Sequence, residues 1–185
     1  PIDAAADDSW YLARVDKLLD LGLLDRARSL LEAAGIAEPN RFRRWFDIAV
    51  LTGDETDACR RLEATPDLSP TYPARIFCLV RNGEFDVAAL TLGNAEALGI
   101  LSEAEDELFL HFLDPVMFEG EPLPPFTPPT TPLLFSIYEA VGERPQTMGL
   151  PLAFAHADLS DRVGWKTRLR AGERLAANGA LSGEA

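Results

Sequence analysis

An all-α fold of stacked antiparallel helical hairpins is predicted by three observations. The first is a repeat. The segments "LLDLGLLDRARSLLEAAG", "AVLTGDETDACRRLEAT" and "LVRNGEFDVAALTLGNA" superimpose at Gly22, Gly53 and Gly83, which lie 31 and 30 residues apart, and a constant period of this length marks a repeat architecture. The second is the helical spacing of apolar residues on both sides of each glycine. The third is the glycine itself, which stands where one helix must end and the chain reverse, a conformation glycine adopts without steric cost.

Five columns agree in all three copies. Eleven residues before the glycine stands an aromatic, Tyr11, Phe42 or Tyr72; seven before it are Val15, Phe46 and Ile76, and three before it Leu19, Val50 and Val80. These positions share one face of a first helix. Five residues after the glycine come Ala27, Ala58 and Ala88, and nine after it Leu31, Leu62 and Leu92. Alanine and leucine four apart share a face of the second helix, the alanine small because two helices must cross closely there. Asp25, then Asp54 or Glu55, then Glu84 or Asp86 sit at the start of each second helix, where acidic groups complement the helix N-terminus.

In chain order, residues 1–114 are expected to carry hairpins at about 8–35, 39–65 and 71–98, then a helix at 102–114. That last helix opens on Ser102 with Glu105 three residues on, a capping-box arrangement. Residues 115–132 hold seven of the chain's 14 prolines, which excludes helix and central strand and leaves an extended segment. Its Val116, Met117, Phe118, Leu123 and Phe126 favour a strap across the apolar surface of the helices, because a free linker, the competing reading, would leave them in water. A proline-rich ligand for an SH3-like domain lacks a basic residue beside the prolines. Residues 133–185 are expected to form C-terminal helices packing on the repeats. "PLLFSIYEAVG" ends at Gly142, "LPLAFAHADL" is a short apolar helix or turn, and "DRVGWKTRLRAGERLAANG" is a terminal helix. Trp165, Leu169 and Ala176 are its expected buried side and Gly179 its stop.

The columns resemble the tetratricopeptide repeat. In that family a glycine before the second helix is followed by an alanine, a large apolar residue, a second small residue and a closing proline. Those places are held here by Gly22, Ala27, Leu31, Ala34 and Pro39; by Gly53, Ala58, Leu62, Thr65 and Pro70; and by Gly83, Ala88, Leu92, Ala95 and Ile100. The departures are Thr65 for alanine, Ile100 for proline, and a period shorter than the family's roughly 34 residues. The resemblance covers residues 8–98 and implies a short solenoid whose first helices line a concave groove for a peptide or partner protein. It places groove-facing positions six and ten before each glycine: Asp16 and Leu12, Asp47 and Arg43, Phe77 and Pro73. Asp16, Arg43, Asp47 and Phe77 are the expected partner contacts. The whole chain is also similar to a group of alphaproteobacterial exported proteins. Only Lys17 and Lys166 of the 17 basic residues are lysine, an arginine bias that agrees with a GC-rich bacterial genome; the address is left open, with periplasmic favoured over cytoplasmic.

Charge narrows the partners. A net charge of −13 repels phosphate backbones and anionic lipid, so a protein or peptide, basic in character, fits better than nucleic acid. No window approaches 18 apolar residues, so direct membrane insertion is not expected. The acidic start "PIDAAADD" does not read as a leader. The chain opens on Pro1 and closes on "SGEA", which reads as a piece of a longer protein. A chain of 185 residues with 47% hydrophobic content sustains a core without metals or cross-links. Cys59 and Cys78, with no CxxC, are therefore expected as buried free thiols. The alternative is a disulfide between neighbouring helices, which implies an oxidising compartment.

No cofactor or metal is expected. The acidic run Glu103, Glu105, Asp106, Glu107 lacks the alternating ligands and turn glycine of a calcium loop, and reads as a solvated helix start. His111 and His156 lie in apolar helical contexts, which favours buried hydrogen-bonded roles over catalysis. Nucleophile-elbow, HExxH, P-loop and dinucleotide motifs are missing. Arg162, Lys166, Arg168, Arg170 and Arg174 form the one basic stretch. It is read as a solvated face pairing with acidic neighbours, with an anionic-ligand site as the alternative. The expected function is a non-catalytic protein- or peptide-binding helical-repeat module. A structural segment of a larger bacterial envelope or scaffold protein is the alternative. An α-helical hydrolase acting on glycans comes third, and would need a carboxyl of raised pKa in a cleft.

Overall fold

The computed structural model describes residues 8–68 and 71–181, and among them every regular element is helical. In chain order these are α1 (Ser9–Asp20), α2 (Leu24–Ala34), α3 (Pro39–Thr52), α4 (Glu55–Ala64), α5 (Tyr72–Arg81), α6 (Phe85–Ala97), α7 (Glu103–Leu113), α8 (Pro132–Ala140) and α9 (Trp165–Ala177). Short 3-10 stretches occupy Pro66–Leu68 and Leu152–Leu159. Pro1, Pro70 and the closing "SGEA" lie outside the described residues.

Gly22, Gly53 and Gly83 join α1 to α2, α3 to α4 and α5 to α6, each in a left-handed conformation with φ of +70°, +83° and +80°. The repeated columns turn inward: Ala27, Ala58 and Ala88 are all 0% exposed, and Val15, Phe46, Ile76, Leu31, Leu62 and Leu92 are all buried. Alanine at the crossing lets α1 through α7 pack each against the next, and each leucine or isoleucine so covered contributes about 1.5–3 kcal/mol. Ser102 caps α7 with the full capping box, its Oγ accepting from the Glu105 N–H while the Glu105 carboxylate accepts from the Ser102 N–H.

Helix α3 is the centre of the molecule. Phe42, Trp45, Phe46, Ile48, Ala49, Val50 and Leu51 are all buried on it, because α1, α2, α4, α8 and both 3-10 stretches surround it. The C-terminal run Ile48–Leu51 is buried without interruption, while Arg41, Arg43, Arg44 and Asp47 of the first turns keep one polar side.

The C-terminal half returns to the first helix of each pair. Helix α8 packs on α3, α5 and α7, while the Leu152–Leu159 stretch packs on α1, α3 and α9. An aromatic chain marks this zone: Phe77 stacks on Phe112 at 5.6 Å, and Phe135 of α8 meets Phe154 edge-on at 5.5 Å. At the far end, buried His156 uses Nε2 to hold the carbonyl oxygen of Gly22 at 2.7 Å. Burial lowers the His156 pKa, so the neutral ring, with Nε2–H as donor, is the form that fits.

Three expectations are corrected here. Cys59 and Cys78 are not free thiols but a disulfide joining α4 to α5, with Cα atoms 5.0 Å apart; the stacking of successive hairpins brings the two side chains together. The proline-rich segment lays only part of its apolar side chains on the core. Leu123 and Phe126 pack there, Phe126 edge-on to Tyr138, whose hydroxyl donates to the Pro124 carbonyl at 2.9 Å, and Phe118 covers His111. Val116 and Met117 are 80% and 72% exposed. Finally, α9 buries Ala171 and Leu175, not Trp165, Leu169 and Ala176. Trp165 and Leu169 are 69% and 55% exposed. The helix has two apolar sides, and the one carrying alanine admits the 3-10 stretch closely.

Candidate partner-binding surface

Helices α1 and α3 meet at the Arg44–Asp16 pair, and Arg43 and Asp47 lie on α3 one and three residues from Arg44. Arg44 donates through Nε and Nη2 to both carboxylate oxygens of Asp16, the latter at 2.7 Å, and through Nη1 to the Asn40 carbonyl at 2.9 Å. This planar two-point pair is the stronger type of ionic hydrogen bond. It raises the Arg44 pKa. One turn earlier, Arg41 makes the same kind of bond to Asp8 at 2.7 and 3.0 Å and also donates to the carbonyls of Ala34 and Gly35. Its guanidinium lies over the Tyr11 ring, whose hydroxyl donates to the Leu30 carbonyl. The aromatic column thus anchors the edge of this surface in the first hairpin.

Asp47 is the unusual member. Burial pushes its carboxyl up to about 7, against the pull of Arg43 and Arg44. Among the described residues no hydrogen bond or ion pair reaches it, whereas Asp16 is paired and Arg43 is exposed and unpaired. A carboxyl near neutrality can donate or accept a proton.

Phe77 does not belong to this surface. It is 0% exposed, stacked on Phe112 and edge-on to Phe46, because α7 and α8 cover the face that the repeat register assigns to a groove. Its role as a partner contact is corrected to a core role. Arg44, which organises the surface, was not among the sequence candidates. Its signal is an arginine one residue after a groove position, and its pairing with an aspartate 28 residues away is not readable along the chain.

Among the described residues no group of three or more His, Cys, Asp or Glu side chains is placed to hold a metal ion. Glu105 of the acidic run is engaged in the cap of α7. No described helix is long and apolar enough to cross a membrane. No protein-family model, no curated protein and no solved structure matches the chain.

Proposed function

We propose that the protein is a non-catalytic helical-repeat module of tetratricopeptide-like, solenoid character that holds a protein or peptide segment across α1 and α3. The observation that carries this reading is Asp47, a half-buried carboxyl with no hydrogen-bond partner among the described residues, beside exposed Arg43 and the Arg44–Asp16 pair. A half-buried carboxyl without a protein donor keeps open acceptor positions, and a donor arriving from a partner fills them. Asp16 and Asp47 suit a basic side chain of the segment, and Arg43 an acidic one. The net charge of −13 favours approach by a basic partner. The Cys59–Cys78 disulfide favours an oxidising, extracytoplasmic address.

Peptide-display selection on the immobilised protein tests the reading. Selected peptides should lose at least about tenfold in affinity, about 1.4 kcal/mol, to an Asp16→Lys/Asp47→Lys variant that melts as the parent does. Unchanged affinity removes these residues from the recognition surface.

A second reading, a structural segment of a larger envelope or scaffold protein, draws on the packing of α8 and the Leu152–Leu159 stretch against the first helices. On that reading the inner face serves its own chain, and the selection enriches no peptide above an unrelated helical protein.

A further inference from the structure

The basic stretch of the sequence divides in two when folded. Lys166 lies over the Trp165 ring and Arg168 pairs with Asp161 at 3.1 Å. Arg162, Arg170 and Arg174 instead line a cleft of about 810 Å³, between residues 144–148, the Leu152–Leu159 stretch and α9, together with Arg144 from the loop after α8.

The charges in this cleft are unevenly compensated. Arg144 is neutralised by Glu139 and by Asp158, at 2.9 Å from the latter. Arg174 donates to the backbone carbonyls of Thr147 and Leu150 at 3.0 and 2.7 Å; these neutral acceptors fix the guanidinium and leave its charge. Arg162 meets only the Ser160 hydroxyl, and Arg170 has no ion pair among the described residues. Glu173 is the one remaining acid in the lining. Three uncompensated cations against one anion thus face a concavity in a chain of net charge −13. A merely solvated basic face would spread its arginines or pair them with the abundant carboxylates, as Arg168 does.

The rest of the lining sets apolar Pro145, Met148, Ala155, Val163 and Ala171 beside the uncharged polar Gln146, Thr147 and Thr167. Met148 is 73% exposed, so the rim offers a greasy contact. A concavity of this size, apolar with a few convergent polar groups, is the usual form of a small-molecule site. We propose that the cleft binds an amphipathic organic anion, with a carboxylate, sulfonate or phosphate group on Arg162 and Arg170 and an apolar body against Met148 and Val163. Guanidinium groups suit such anions because they present paired donors in one plane. This proposal is independent of recognition at Asp16 and Asp47.

Fluorescence titration of the full chain with 8-anilinonaphthalene-1-sulfonate tests it, with the neutral dye N-phenyl-1-naphthylamine as comparison. Saturable binding at one site is expected. Arg162→Gln/Arg170→Gln should weaken the sulfonate by about tenfold or more while leaving the neutral dye unchanged. Lys166→Gln/Arg168→Gln, which removes the same charge outside the cleft, should change neither by more than about twofold. Met148→Glu, at an exposed rim position, supplies a second variant and should weaken the sulfonate also. The proposal is overturned if the parent shows no saturable binding, if the two arginine-site doubles behave alike, or if the cleft double binds as the parent.

Discussion

The two junctions between successive hairpins use the same position of the repeat for opposite chemistries. Six residues after its glycine, the first hairpin carries Arg28 and the second Cys59. Arg28 donates to Asp54 at 2.7 Å and to Thr52 at 2.9 Å in the next turn. Arg44–Asp16 and a Trp45 Nε1–H bond to Glu32 at 3.0 Å complete a polar seam. Cys59 bonds covalently to Cys78 of the following hairpin, supported by Arg81–Glu55 at 3.4 Å. The polar seam is exchangeable with water and salt; the covalent one is not. The contrast teaches that a shared backbone register sets where successive hairpins meet, and leaves free what holds them.

Breaking the covalent junction should have the largest effect. Cys59→Ala/Cys78→Ala releases a loop closed across 19 positions and should lower unfolding free energy by about 3 kcal/mol, read as a lower urea midpoint. Reductant should do the same to the parent and nothing to the variant.

Next comes the pH dependence set by Asp47, beside the polar junction on α3. The folded pKa of Asp47, about 7, lies above its unfolded value near 3.9. Its protonated form therefore stabilises the fold fully below about pH 4, and that contribution is lost as pH rises toward 7. Asp47→Asn should flatten the melting profile across that window. An equal slope in the variant assigns the dependence elsewhere.

The turns sharpen the contrast at a smaller scale. A Cβ on Gly53 meets nothing within 4 Å, whereas one on Gly22 would stand 2.8 Å from Leu152 Cγ. Gly53→Ala should cost about 1 kcal/mol from its left-handed backbone alone, and Gly22→Ala about 1 kcal/mol more, because the C-terminal stretch must shift. Thermal melts that rank the two equally would place no load on the Leu152 contact. The smallest effect belongs to Arg28→Ala, about 0.5–1 kcal/mol for a partly exposed pair. It should shrink in 1 M salt, to which the disulfide bond itself is indifferent.

The legibility of the molecule follows the range of the interactions. Helix limits, the capping box at Ser102 and the three turn glycines were readable because each depends on residues within about one turn of itself. Asp16, Arg43 and Asp47 were named by register alone, and the pair that joins their two helices is Arg44–Asp16. Phe77 was misplaced because the same register cannot tell an open face from one covered by α8, 55 or more residues later in the chain. Arg44 escaped because its partner sits on another helix.

From the chain alone came an all-helical fold and the alanine and leucine columns that are buried in it, both consequences of periodicity and local backbone preference. Only the tertiary structure decided that Cys59 meets Cys78, that α9 turns Ala171 and Leu175 inward, that His156 reaches Gly22, and that the arginines of the C-terminal stretch converge on one cleft. Those outcomes depend on which surfaces exclude water together, a property of distant segments in contact that no local pattern encodes.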